Sequence, residues 1–177
     1  MLIGLTGYKG SGKDTAALGF IENGFTRLAF ADKIKEVIMD LFDITHDELV
    51  DPVLKEIPLS RWPYKSPRVI MQELGEGLKI VAPDLWVRRI EKRFLELRRA
   101  NQDVIITDVR LPIEYDMIKK HGGEIYRVER EGQENRDDHV SEKYIKDFEV
   151  DHVILNNFTD AEGLIAHTKD ICALLRL

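Results

Sequence analysis

A short apolar run, Leu2-Ile3-Gly4-Leu5-Thr6, leads directly into Gly7-Tyr8-Lys9-Gly10-Ser11-Gly12-Lys13-Asp14-Thr15, and a helical pattern begins at Lys13. No other stretch restricts the fold as strongly. Glycine tolerates positive φ, so such a turn can curl until successive backbone N–H groups face one centre. The following helix N-terminus adds partial positive charge at the same place. An anion with several oxygens, such as a nucleotide's phosphate tail, is the ligand this geometry suits. Lys13 would reach the β- and γ-phosphates, and a nearby hydroxyl would help hold Mg²⁺. Gly7, Lys9, Gly10, Ser11, Gly12, Lys13, Asp14 and Thr15 are therefore the expected ATP-binding residues, with Tyr8 shaping the adenine or phosphate side. A glycine turn without a ligand is the alternative.

The strict phosphate-loop pattern places Ser or Thr directly after the lysine, whereas here Asp14 follows and the hydroxyl comes at Thr15. The spacing G-x-x-G-x-G-K-x-T resembles the loop of the nucleoside monophosphate kinases. It assigns Thr15 to the metal and lets Asp14 touch Mg²⁺ or its waters.

Downstream, apolar segments alternate with helical patterns. A helix is expected from Lys13 to Asn23, a strand from Phe25 to Phe30, and an amphipathic helix through Ile34, Val37, Ile38, Leu41 and Phe42. Thr45 and Glu48 have the spacing of a capping box, and Ser66-Pro67 reads as an N-cap with proline at the first helical position. Gly75 and Gly77 weaken that helix near its end, and another helix starts at Asp84. Val104–Thr107, Ile125–Val128 and His152–Leu155 read as strands, with helices from Pro112 to His121 and from about Asp160 to Leu175. Strands separated by helices imply an α/β fold, a five-stranded parallel sheet covered on both faces. Residues 31–100, all helix and loop, are expected as a cap over one end of the sheet within a single domain spanning 1–177.

Composition narrows the setting. With 44% hydrophobic and 33% charged residues, the chain is globular. No apolar run approaches the ~20 residues of a membrane span, and the N-terminus does not read as a signal peptide. Cys172, the single cysteine, allows no internal disulfide and no zinc cluster. An intracellular, cytoplasmic protein is expected, in host cytoplasm if the gene is viral. The net charge of −6 argues against nucleic acid as a partner. Residues 55–100, however, carry 11 basic and 6 acidic side chains, which suits a small anion held locally. A solvated helix face explains Arg88, Arg89, Lys92, Arg93, Arg98 and Arg99 equally well.

In such a sheet ligands bind at the carboxyl ends of the strands. Asp108 follows Val104-Ile105-Ile106-Thr107 there and resembles a Walker B carboxylate, able to orient Mg²⁺ water or accept a proton. Arg110 and Glu114 complete Asp108-x-Arg110-x-x-x-Glu114. An arginine beside a metal site suits bidentate phosphate binding, and a surface ion pair capping the next helix is the alternative.

Taken in order, the loop, Phe30-Ala31-Asp32-Lys33-Ile34-Lys35, Arg68-Val69-Ile70-Met71-Gln72-Glu73-Leu74-Gly75, Asp84-Leu85-Trp86-Val87, Asp108-x-Arg110-x-x-x-Glu114 and Gly122-Gly123 resemble the bacteriophage-type deoxynucleoside monophosphate kinases. Arg127-Val128-Glu129-Arg130, His139-Val140-Ser141-Glu142 and Asp151–Asn156 continue the resemblance. It implies a three-layer P-loop NTPase fold and ATP- and Mg²⁺-dependent phosphoryl transfer to a deoxynucleoside monophosphate. It also implies that Lys35, Arg68, Gln72, Gly75, Trp86, Asp108, Arg110 and Glu114 line the acceptor site. Lys13, Asp108, Arg110 and Arg130 are the expected catalytic residues, with Thr15 and Asp108 at the metal. Arg130 and Arg136, in a short lid over 130–138, are expected to close over the transferring group, Arg136 toward ATP. Against these stand plainer roles: Trp86 in a core, Lys35 on an exposed face, Arg136 as a solvated loop charge. Kinases of another small acceptor, such as dephospho-coenzyme A, and a non-catalytic nucleotide switch remain alternatives, as does a homodimer to a monomer.

Overall fold

The computed structural model describes residues 1–132 and 144–175, which divide into two compact units, Phe30–Arg89 and the remainder. The larger unit is built on a five-stranded sheet in the order β2-β3-β1-β4-β5. Its strands are β1 (Leu2–Thr6), β2 (Thr26–Leu28), β3 (Val104–Ile106), β4 (Glu124–Glu129) and β5 (His152–Leu155). Every pair is parallel, with Leu2 opposite Val104 and Ile3 opposite Glu124. The central β1 is buried at all five positions, as a strand covered on both faces must be.

Period-two alternation along β1 sorts its side chains between two helical layers. Ile3 and Leu5 pack with Ala16, Ala17 and Phe20 of α1 (Lys13–Glu22) and Leu164 and Cys172 of α7 (Ala161–Leu174). On the opposite face, Gly4 lies against Ile118, which α6 (Pro112–Lys120) supplies. The result is a three-layer α/β sandwich. α1 and α7 meet closely because Gly19 has no side chain: a Cβ there would lie 2.6 Å from the Ile165 carbonyl oxygen.

The second strand is shorter than the expected Phe25–Phe30. Phe25 closes the end of α1 instead, its N–H bonded to the Phe20 carbonyl and its ring edge-on to Phe20 at 5.6 Å. Ala29 and Phe30 are buried but lie outside the ladder.

The smaller unit contains α2 (Asp32–Phe42), α3 (His46–Val50), a 3₁₀ turn at Leu54–Glu56, α4 (Pro67–Val81) and the start of α5 (Leu85–Arg99). It has its own core of Ile34, Ile38, Ile44, Leu49, Leu59 and Ile70. The Thr45–Glu48 capping box forms, and Ser66 caps α4 through the Val69 N–H. α4 passes through Gly75 and Gly77 to Val81, longer than those glycines suggest. The chain re-enters the larger unit within α5, whose Ile90, Phe94 and Leu97 are buried there. Among the described residues no helix is long and apolar enough to cross a membrane.

Arg61 ties the loop after α3 back to that helix. Its Nη1 and Nη2 donate to the Glu48 carboxylate at 3.0 and 2.8 Å, and Nη2 also reaches the Asp43 carbonyl. The Arg61 hydrogen bonds, with the Thr45 N–H, hold the Glu48 carboxyl at about 2.

Candidate active site

The turn after β1 has the conformation that its glycines permit. Gly7, Gly10 and Gly12 have φ of 142°, 83° and 97°. A Cβ on Gly7 would sit 2.4 Å from the Val128 carbonyl oxygen, and one on Gly12 would sit 2.4 Å from Asn156 Nδ2. The backbone therefore passes where no side chain fits. α1 starts at Gly12 with no side-chain cap, so its leading N–H groups are available to an outside acceptor.

Two side chains complete this nest. Lys13 is 8% exposed, and its ammonium donates to the Gly7 and Tyr8 carbonyls at 2.5 and 2.8 Å. Burial and two carbonyls fix the ammonium at the loop instead of leaving it to swing in solvent. Ser11 is 1% exposed, and its Oγ has no hydrogen-bond partner among the described residues. A buried hydroxyl of that kind is costly unless a ligand completes it. The orphan hydroxyl, the open helix end and the ammonium are the donor set that a phosphate tail requires. Asp14 is exposed, and Thr15 is half-buried in the first turn of α1.

β3 delivers the next groups. Beyond its last residue, Thr107 N–H bonds the Leu28 carbonyl, Val109 N–H bonds the Leu5 carbonyl, and Thr6 Oγ1 donates to the Val109 carbonyl at 2.9 Å. These bonds extend the sheet and hold Asp108, between Thr107 and Val109, beside the root of the loop. The chain reverses sides of the sheet here, with β3 on one flank of β1 and β4 on the other. Among the described residues no group of three acidic, His or Cys side chains could hold a metal. Thr15 and Asp108 would offer one hydroxyl and one carboxylate, the hard oxygen donors that Mg²⁺ takes.

Glu114 is buried, and its Oε2 accepts the N–H groups of Arg110 and Leu111 at 2.8 and 2.9 Å. It therefore holds the backbone that carries Arg110. Arg130 is exposed just past β4, while Arg136 and residues 133–138 of the expected lid lie outside the described residues.

The remaining expected residues lie in the smaller unit. Lys35 and Gln72 are half-buried on α2 and α4. Arg68 Nε donates to Glu56 Oε1 at 2.6 Å. Trp86 packs on the core of that unit, and its Nε1 donates to the Gly75 carbonyl at 3.3 Å.

One contact at the loop escaped the sequence reading. Asn156 follows β5 and is 7% exposed, with Nδ2 donating to the Ser11 carbonyl at 2.9 Å. Its sequence signals are its place in the Asp151–Asn156 segment of the family resemblance and an amide residue at the carboxyl end of a parallel strand, and neither points to the loop.

The comparisons with known proteins bear on the family and the fold. Residues 54–165 match the deoxynucleotide monophosphate kinase family. A protein of Acanthamoeba polyphaga mimivirus, provisionally named a deoxynucleotide monophosphate kinase, is 34% identical over 178 aligned positions, 92% of this chain and 91% of that one. Among solved structures, dephospho-CoA kinase from Campylobacter jejuni superposes with a TM-score of 0.59 at 15% identity, covering 98% of this chain and 96% of that one. TT1252 from Thermus thermophilus gives 0.53 at 20%, covering 99% and 97%. The structures share the fold, a P-loop NTPase. On its sequence, the chain belongs to the deoxynucleotide monophosphate kinase family.

Proposed function

We propose that the protein transfers the γ-phosphoryl group of ATP to a deoxynucleoside 5′-monophosphate, giving the diphosphate and ADP, in the cytoplasm. The observation that carries this reading is the loop's donor set: the orphan Ser11 hydroxyl, the uncapped start of α1 and the buried Lys13 ammonium. An oxygen of the acceptor phosphate bonds to the γ-phosphorus as the bond to the β–γ bridging oxygen breaks, and ADP leaves with that electron pair. Such transfers depend on positioning and charge neutralisation.

Each residue has one task in this scheme. The backbone of Gly7, Gly10 and Gly12, with Ser11 and Lys9, grips the donor tail, and Asp14 would touch Mg²⁺ or its waters. Lys13 balances charge growing on the γ-phosphoryl oxygens. Thr15 and Asp108 hold Mg²⁺, which when bound neutralises the donor phosphates. Asp108 also takes up any proton on the acceptor oxygen. Arg110, on backbone held by Glu114, binds the acceptor phosphate, and Arg68 serves acceptor recognition. Lys35, Gln72, Gly75 and Trp86 belong to acceptor recognition, Trp86 by shaping the surrounding core. Arg130 and Arg136 close on the transferring group and exclude water.

The test is ADP release with ATP and Mg²⁺ across a panel of deoxynucleoside and ribonucleoside monophosphates. ADP formation that requires a deoxynucleotide supports the proposal. Silence across the panel, or ATP hydrolysis indifferent to acceptor, overturns it.

A further inference from the structure

The Asn156 side chain meets the phosphate loop from the far end of the sequence. Its Nδ2 donates to the Ser11 carbonyl at 2.9 Å, in a contact buried from solvent. Its own N–H donates to the Glu129 carbonyl at 2.7 Å, so the residue is fixed to the carboxyl end of β4 just past β5. A trans peptide points its C=O and its N–H in opposite directions. Holding the Ser11 carbonyl therefore sets the plane of the Ser11–Gly12 peptide and turns the Gly12 N–H away from Asn156. Gly12 has φ 97° and nothing but glycine fits beneath the amide, so the two residues are matched in shape as well as in hydrogen bonding. Ser11 is the residue whose hydroxyl is left without a partner, and its orientation follows the same peptide.

We infer that Asn156 is a positioning residue for the donor nucleotide: its amide holds the Ser11–Gly12 peptide in the phosphate-binding orientation. The inference deepens the reading of the loop as a nucleotide site and rests on it. A glycine-rich turn is the least self-supporting part of such a site, since its residues lose the most freedom on ordering. One rigid donor on the neighbouring strand end pre-organises it before ligand arrives.

Asn156→Asp keeps the shape but replaces the donor with a carboxylate facing the Ser11 carbonyl. Asn156→Ala removes the amide. We expect both to weaken ATP binding, read by calorimetry without acceptor, about tenfold or more. The KM for the monophosphate should stay within about twofold, because the acceptor groups are elsewhere in the chain. If the alanine variant does not fold, the aspartate variant, which leaves no cavity, decides. Wild-type ATP affinity in a folded variant overturns the inference. So does an equal loss for donor and acceptor, or a loss confined to the unfolding midpoint, since general loosening would produce either. Because ATP binding is read without turnover, the two proposals separate. Selective loss of ATP affinity in a protein inactive on every monophosphate upholds the role of Asn156 and removes the kinase reading. Active variants with unchanged ATP affinity do the reverse.

Discussion

At the residue scale the loop makes two opposed demands, and substitutions separate them. Lys13 supplies charge to a ligand, and its ammonium donates to the Gly7 and Tyr8 carbonyls of the loop, so Lys13→Met should leave the sheet intact. Phosphoryl transfer should fall by about 10²-fold or more with little change in unfolding midpoint, measured by ADP release and thermal melting. Gly7 has the opposite character. Its φ of 142° excludes a side chain, and an added Cβ would strike the Val128 carbonyl, a backbone atom of β4 that cannot swing aside. Gly7→Ala should therefore cost about 1–3 kcal/mol of stability as well as ATP binding, read by urea denaturation. The contrast shows why the loop was legible in sequence. Glycines at positions where only glycine fits, followed by a lysine, leave few other meanings. Asn156 was not legible in the same way, because its contact with Ser11 spans 145 positions and an asparagine carries no spacing rule.

Among the elements, local chemistry settled the helix starts more securely than the strand ends. The Thr45–Glu48 box and the Ser66 cap form as their spacing predicts, because each needs only neighbouring residues. The reach of β2 depends instead on Phe25 finding Phe20, and the length of α4 on packing that tolerates Gly75 beside Ile34. α3 offers a test with a pH sign. Arg61 and the Thr45 N–H bind the ionised form of Glu48 and hold its carboxyl at about 2, below the usual value of about 4.3. A carboxyl depressed in the folded state stabilises fully above its unfolded value and loses that contribution as pH falls toward the folded one. Glu48→Gln should thus be less stable than wild type at neutral pH. The gap should close between about pH 4.3 and 2, measured by denaturation of both proteins at stepped pH. A gap independent of pH would mean that Glu48 contributes through its shape and neutral hydrogen bonds, without its charge.

On the scale of the whole molecule, the donor loop and part of the acceptor set stand on one core and the rest of the acceptor set on another. The loop, Asp108, Arg110 and Asn156 stand on the sheet unit, whereas Lys35, Arg68, Gln72, Gly75 and Trp86 stand on Phe30–Arg89, which has a separate apolar cluster. The sequence order of strands and helices conveyed the parallel sheet. It did not convey that Arg68 would be bonded to Glu56, a pairing between loop and helix that only the packed unit brings about. If the donor loop stands on the sheet unit while Lys35, Arg68, Gln72, Gly75 and Trp86 of the acceptor set stand on Phe30–Arg89, each ligand should protect a different set of amides from hydrogen exchange. ATP alone should slow exchange at residues 7–15 and leave α2 and α4 near their free rates. A deoxynucleoside monophosphate alone should slow α2 and α4 and leave the loop unchanged. Arg68→Ala should abolish the second pattern and spare the first, because Arg68 leaves the apolar cluster of its unit intact. Protection of both regions by either ligand alone would overturn this assignment of the two sets of residues.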